Sequence, residues 1–528
     1  MGNTQIKAMC SDYVDYLRDE SRSVGTAESI SFPKSEEEVR EILKEVYASG
    51  EKITLQGART GLAAAAVPHG GHIMNLMKMN RVLGMRRDEN GHFFVTVEPG
   101  MILSELKKQI ESRKFEVSSW DAASKEAFKA FCTAPEQLLT PDPTESSASI
   151  GGMVACNASG ARSYLYGPTR NHVTALRVVL TNGEVLSLKR GETFAKGRTM
   201  TLTTESGKVM TFALPSYVLP KTKNASGYYI ADDMDAIDLF IGSDGTLGVT
   251  TSIELSLIPM PQLVWGVTCF FREEKSAIRF VPMIRENVDK LSSLEFFNCD
   301  ALELLRSQKE NNTAFAQLMP VPKEYNCAVY TEIQCDSEEE ALTRLFAIGE
   351  AMKACGGCED DTWVARNGVD RDRLYFFRHA TPESVNMTID RRKKEHPTIT
   401  KLGSDMSVPD ACLAEIMDVY NHDLAELGLQ SVKFGHIGNN HLHVNILPRN
   451  EDEYAAGKEL FKKWAAKVTA MGGAVSAEHG VGKLKADFLR IMYGEKHIEE
   501  MAKLKAVFDP KGTLGTGNLF TPLKEAEG

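Results

Sequence analysis

The sequence predicts an α+β protein of two main domains. Three observations predict it. At 528 residues the chain is longer than one hydrophobic core accommodates. Up to Pro259, short apolar strands alternate with helices and run repeatedly into glycine-rich turns. From Gln262 onward the helices and strands are longer and the glycine-rich turns stop, which places a boundary at Pro259–Gln262.

In chain order, residues 1–30 read as a polar helical lead-in. Ser35 followed by Glu38 forms a capping box. Val39, Ile42, Leu43, Val46 and Tyr47 then repeat at helical spacing, and Gly50 ends the helix. A strand over Lys52–Leu55 runs into the loop QGARTGLAAAAVP, where Gly57 to Gly61 expose successive backbone amides of the kind that hold a pyrophosphate. Val95–Met101 reads as a strand and turn, and Ile102, Leu103, Leu106 and Ile110 mark the next helix. Asn182-Gly183, between Val173–Leu180 and Glu184–Leu188, signals a two-residue hairpin. Phe240–Pro259 is a third glycine-rich turn entering a strand of alternating apolar residues.

The stretch Pro141–Arg170, PDPTESSASIGGMVACNASGARSYLYGPTR, consists almost wholly of small residues. Such a run leaves backbone amides uncovered, as a surface moulded on a large, flat, phosphate-bearing ligand would be; it also fits a tight loop between packed elements.

The bulk numbers exclude several classes. A net charge of −11 offers no basic field for nucleic acid. No run of 18 apolar residues suggests a spanning helix. The start, MGNTQIKAMC, has no signal-peptide core, and Gly2 with Ile6 does not match a myristoylation signal, so a cytoplasmic protein is expected. The ten cysteines are scattered. Cys355 and Cys358 lack the second pair a zinc site needs, and no iron–sulfur run is present.

Two polar motifs sit late in the second domain. In KFGHIGNNHLHVNILP, His436, His441 and His443 lie within eight residues; His441 and His443 alternate on one face of a strand, and the Gly438–Asn440 turn can fold His436 back towards them. In SAEHGVGK, Glu478 and His479 form an acid–imidazole pair. Two imidazoles and a carboxylate would leave a divalent metal with open positions. The spacing fits hydrogen-bonded strand and loop histidines equally well. Arg378, in YFFRHATPESVN, can hold a carboxylate bidentately or sit on the surface, and Lys401 has the same two readings.

Together these motifs resemble the FAD-linked dehydrogenases and oxidases of D-2-hydroxy acids, which have a vanillyl-alcohol-oxidase-type FAD domain. The resemblance spans residues 30–520: the phosphate loop at Gly57–Val67, the small-residue segment at Pro141–Arg170, a Gly-Ser-Glu-Gly-Thr-Leu-Gly turn at Gly242–Gly248, a Gly-His-x-Gly-Asp-Gly-Asn-Leu-His motif at Gly435–His443, Glu-His-Gly-x-Gly at Glu478–Gly482 and Asp-Pro at Asp509–Pro510. It implies a two-subdomain FAD-binding domain over 31–261, an α+β substrate or cap domain with an antiparallel sheet over 262–500, and a segment 501–528 that returns to the FAD interface. It also implies non-covalent FAD, since no histidine falls in the phosphate loop. The residues it implies for the cofactor are Gly57, Ala58, Arg59, Thr60 and Gly61 at the pyrophosphate, Pro141, Asp142, Thr144, Ser149, Gly152, Asn157, Gly160 and Gly167 along the flavin and ribityl chain, Gly248 and Val249 towards the adenine, and Asn518 at the flavin edge. His436, His443 and Glu478 are the implied ligands of a divalent metal (Zn, or Mn, Fe or Co). His479 is the implied base, Arg378 the holder of the substrate carboxylate, and Lys401 and Asn445 further substrate contacts.

Three departures stand out. Gly57-Ala58-Arg59-Thr60 replaces Gly-Gly-Gly-Thr, with Arg59 either beside the phosphates or towards solvent. Asn439-Asn440-His441 replaces Asp-Gly-Asn, so His441 either replaces or supplements a ligand. Gly515–Asn518 replaces Asn-Pro-Gly-Lys. The expected activity is FAD-dependent oxidation of a D-2-hydroxy acid, D-lactate first, then glycolate or D-2-hydroxyglutarate, to the 2-oxo acid. The alternatives are a flavoenzyme of the alkylglycerone-phosphate-synthase-like branch and a metal-dependent hydrolase. Electrons would pass to a partner subunit, a quinone or a soluble carrier, which allows a peripheral membrane location; a homodimer is compatible with the sequence.

Overall fold

The computed structural model describes residues 5–520. Gly2, the rest of the first four residues, and 521–528 of the C-terminal segment lie outside these. Three sheets organise the chain. In the first, Ser29–Ser31, His72–Asn75 and Ile53–Gln56 run parallel, and Lys7–Ala8 is added antiparallel at the edge. The helix Glu36–Ser49 is its crossover. Ser35 Oγ accepts from the Glu38 amide, the Glu38 carboxylate accepts from the Lys34 amide at 2.7 Å, and Gly50 closes the helix at φ +78°. The helix buries Val39, Ile42, Leu43 and Val46 against Ile53 and Met74.

Among the described residues the expected helical lead-in is reduced to one short 3-10 helix. Residues 5–31 form two short strands and a 3-10 turn, Ser11–Leu17. Here pairing overrides local propensity: Lys7 and Ala8 take a place on the sheet beside Ile30 and Ser29, and Tyr13 and Tyr16 pack on Phe32.

The second sheet is antiparallel throughout, in the order Val82–Arg87, Phe93–Val97, Val249–Ser256, Val173–Val179, Val185–Lys189. Its last hairpin closes through three residues. The Leu180 amide donates to Glu184 O, and Gly183 alone takes positive φ, +81°, with Asn182 outside that region. A two-residue type I′ turn needs positive φ at both central residues, so the Asn-Gly pair marks the hairpin but not its loop length.

The third sheet carries the second domain. Its order is Thr362–Ala365, Leu263–Phe271, Cys327–Cys335, Leu291–Phe297, Ser431–Gly435, His441–Ile446, Leu402–Gly403, and every pairing is antiparallel. The two-residue period sorts side chains onto two faces. Leu294, Phe296, Val329, Ile333, Leu442, Val444 and Ile446 pack with the helices Glu274–Asn287, Glu338–Ala354, Leu413–Glu426 and Glu451–Ala470. Phe297, Ala328 and Tyr330 face the other way, against the helices Cys299–Asn311 and Gly368–Arg392. That second face also carries Glu295, Glu332, His441, His443 and Asn445, and it is the face turned towards the first domain. Arg162 and Tyr166 of the small-residue segment reach it at Glu332 (3.1 Å) and Gln334 (2.6 Å). No helix among the described residues is long and apolar enough to cross a membrane.

Replacing Ser35 by Ala should lower stability by about 1 kcal/mol and Ser35→Asn by much less. Urea unfolding followed by far-UV circular dichroism checks this; equal losses in both variants would show that the hydroxyl cap contributes nothing.

Candidate active site

A cleft runs between the two subdomains of the first domain, with about 1500 Å³ of empty space including its open mouth. Its walls are the Gly57–Gly61 loop, Thr144, Ser149, Gly152 and Gly248, together with Ala63, Pro143 and Ser243, and Glu478 and His479 lie on the same wall. Ser149 is the organiser. It caps the helix Ile150–Cys156, and its Oγ accepts from the Gly152 and Ala58 amides, both at 3.3 Å, tying the phosphate-loop candidate to the small-residue segment. A Cβ on Gly57 would collide with that Oγ, so the approach requires glycine.

The other implied cofactor residues serve the walls from behind. Asn157 takes φ +51° at the end of the same helix and accepts from the Arg170 amide at 2.9 Å. Gly160 packs on the Asp142 carbonyl, and Asp142 Oδ1 accepts from the Arg162 amide. Pro141 is buried. Gly167 ends the turn Ser163–Tyr166 at φ +78°. Val249 is fully buried in the core with Val39 and Val179, because strand alternation turns its neighbours Gly248 and Thr250 to the cleft instead. Asn518 donates to Ala65 O and Asp244 O at 3.2 and 2.9 Å, bracing the loop. Arg59 lies along the cleft wall, and its guanidinium turns to the N-terminal segment, where it bonds the Asp15 carbonyl and lies 4.5 Å over the Tyr16 ring.

At the Glu478 end, the turn Ile437–Asn439, followed by Asn440 at φ +49°, brings the His436 and His443 rings to 5.4 Å. Glu478 Oε1 lies 3.3 Å from His436 Nε2 and 3.2 Å from His443 Nε2. Its Oε2 takes Lys223 Nζ at 2.6 Å and Ser159 Oγ at 3.1 Å. The remaining nitrogens of the two rings are held from outside: His436 Nδ1 by Glu295 at 2.6 Å and His443 Nδ1 by the Ser404 carbonyl at 3.2 Å. Outer acceptors that fix the tautomer and aim the free nitrogen inward are the pattern of metal-ligating histidines. The donor set therefore fits a divalent cation.

Charge is balanced by partners. Burial works against the Glu478 carboxylate, but His436 and Lys223 outweigh it and hold it well below the usual range. Burial likewise opposes a charged His436, and Glu295 with Glu478 overcome it and raise its pKa. Burial pulls His479 down to about 4 despite Asp405, so this imidazole is neutral near pH 7. It is also a quarter exposed, stacked 5.4 Å from His443, with Nδ1 3.5 Å from Asp405 Oδ2.

Arg378 is buried on the helix Gly368–Arg392, and its Nε donates to Glu295 Oε2 at 2.9 Å. Pro382 follows four residues later and lacks the amide that would bond the Arg378 carbonyl. Lys401 precedes the short strand Leu402–Gly403, whose Gly403 pairs with Asn445; burial and the Arg22 charge lower its pKa. The Asn445 amide donates to the His443 carbonyl at 3.1 Å.

Glu295, Asp405, Lys223 and Asp244 escape sequence reasoning. Glu295 joins Arg378 to His436. Asp405 accepts from the Glu478 and His479 amides at 3.2 and 3.1 Å. Asp244 accepts from the Val481 and Gly482 amides and is pushed up to about 6 by burial. One signal was present: in SSLEFF a single carboxylate interrupts a strand that is otherwise free of charge.

Residues 260–519 match the family model described as FAD linked oxidases, C-terminal domain, and residues 27–127 and 123–189 match that of a FAD binding domain. A D-lactate dehydrogenase of Anaerostipes hadrus is 28% identical, over 96% of this chain and 92% of its own. A D-2-hydroxyglutarate dehydrogenase of Stutzerimonas stutzeri (strain A1501) is 26% identical over 96% and 94%, and the glycolate oxidase subunit GlcD of Bacillus subtilis (strain 168) 25% over 93% and 89%. Among solved structures, a 4-ethylphenol oxidase from Gulosibacter chungangensis shares the fold at TM-score 0.63 and 16% identity, covering 97% of this chain and 93% of that one. An alkyldihydroxyacetonephosphate synthase does so at 0.66 and 15%, covering 97% and 82%.

Glu295→Ala should destabilise the protein by about 3–5 kcal/mol, because it leaves the buried Arg378 charge unpaired. Adding Arg378→Ala should return part of that loss. A double-mutant cycle in denaturant reads the coupling, and strictly additive losses would show that the pair is not energetically joined.

Proposed function

The chain belongs to the FAD-linked oxidases, and on that premise we propose that it oxidises a D-2-hydroxy acid to the 2-oxo acid. D-lactate is the first candidate, then glycolate or D-2-hydroxyglutarate, in keeping with the names its relatives carry. The observation that carries the reading is the position of His479. It lies on the wall of the cofactor cleft, neutral and partly exposed, directly beside a carboxylate–imidazole cluster suited to a cation.

Bound FAD would supply the hydride acceptor, and a divalent metal held by His436, His443 and Glu478 would supply a Lewis acid at the substrate hydroxyl. The chain's own residues do the rest. The Arg378 guanidinium uses its outer nitrogens for the substrate carboxylate, while Glu295 fixes its Nε. Lys401 and Asn445, side by side at the end of the sheet, would border the same pocket. His479 accepts the hydroxyl proton on its ring, and Asp405 stabilises the imidazolium that results. Glu332 and Arg162 close the wall between sheet and cleft.

Anaerobic absorbance spectra with a panel of D- and L-2-hydroxy acids test this. One D-acid should bleach the flavin, and its L-enantiomer should not. In His479→Gln the flavin should stay bound but bleach at least ~100-fold more slowly, the usual weight of a general base. Wild-type bleaching rates in that variant would remove the base role, and a flavin reduced by no hydroxy acid would remove the substrate class.

A further inference from the structure

His441 sits where the resembled motif has asparagine, and its ring is fully buried inside the cluster. Its Nε2 lies 2.9 Å from Asp405 Oδ1, off the line of a ring hydrogen bond. Its Nδ1 has no hydrogen-bond partner at all. A buried ring nitrogen without a partner is rare and calls for an occupant. The direction in which it faces names the occupant. Nδ1 lies 3.9 Å from Glu478 Oε2, and the donor atoms of His436, His441, His443 and Glu478 all fall within 4.8 Å of one another. Asp405 stands to His441 as Glu295 stands to His436 and the Ser404 carbonyl to His443: each ring has one nitrogen next to an outer oxygen and the other turned inward.

We propose that His441 Nδ1 is a fourth protein ligand, so that this chain binds a divalent cation through three imidazoles and one carboxylate. This rests on the metal-assisted reading above and deepens it. Four protein ligands fill a tetrahedral ion. A six-coordinate ion keeps two positions, the number that a 2-hydroxy acid can use through its hydroxyl and one carboxylate oxygen. The site is thereby suited to an ion that accepts octahedral geometry, such as Mn²⁺. Lys223 and Ser159 hold Glu478 Oε2, which restricts the carboxylate to one-point ligation and leaves room for the third imidazole.

Mn²⁺ titrated into the FAD-loaded protein gives the test, with free Mn²⁺ read by electron paramagnetic resonance. His441→Asn, which restores the amide of the motif, should weaken binding about 10- to 100-fold with the flavin spectrum unchanged. Spin-echo modulation of Mn²⁺ bound to wild-type protein should count three imidazole nitrogens, a readout that does not depend on any variant folding. Equal affinity in His441→Asn, a count of two, or no Mn²⁺ uptake by wild type would each overturn the proposal. Anaerobic flavin bleaching by hydroxy acid in chelator-treated protein separates the two readings: bleaching without metal would leave the oxidation standing even where the Mn²⁺ measurements overturn the four-ligand site.

Discussion

One buried carboxylate joins the two halves of this molecule. Glu478 is 7% exposed and takes Lys223 and Ser159 from the first domain, His436 and His443 from the sheet of the second. An ionised carboxylate stripped of water is costly unless its charge is met by partners and hydrogen bonds. Here the partners come from both domains, so the cap sheet cannot shift away from the cleft without leaving a charge unmet on each side. The same carboxylate lies on the wall of the cleft. The requirement that stabilises the junction is thus the one that sets Glu478 and His479 on the wall of the cleft.

Asp405 and Glu295 extend this principle outward. The Asp405 side chain has no exposure and meets Lys485, the His479 ring and two backbone amides. His479 and Lys485 overcome its burial and hold it well below the usual carboxylate range. Glu295 is held low in the same way, with Arg378 and His436 overcoming the cost of burial. Carboxylates and cations alternate through the interior. Each imidazole is oriented by an oxygen behind it, and little reorganisation is left for the moment of reaction.

What could be read from the sequence follows from the physics of each half. The cleft side works through what is missing, and a run of absent side chains is visible in one dimension: Gly57 and Gly152, each from one of the glycine-rich stretches, both line the cleft. Period-two alternation likewise placed His441 and His443 on one face. Reading stops where a role depends on an approach across the fold. Asn157 and Asn518 sit in the right segments, but they brace backbone and do not face the cleft. Nothing local to Arg59 shows that Asp15 and Tyr16 will claim its guanidinium, and Lys223 lies 255 residues before Glu478 in the chain. The lead-in failed for a related reason, since a strand added to a sheet edge is decided by its partner and not by its own residues.

The two halves also divide recognition. On the proposed chemistry, every hydroxy acid presents the same carboxylate and hydroxyl, and the groups that would meet them stand on regular elements: Arg378 on a long helix, His441, His443 and Asn445 on one strand, Glu295 on the strand two places away. Regular backbone fixes these positions more tightly than loops can. The substituent that distinguishes lactate from glycolate or hydroxyglutarate must be read by other residues, and those can change without disturbing the charged interior. Relatives at 25–28% identity that span nearly the whole chain and carry three different substrate names fit that division. An ionic interior of this kind tolerates little change, because a substitution there strands a buried charge, whereas the rim of a pocket carries no such constraint and is where specificity can diverge.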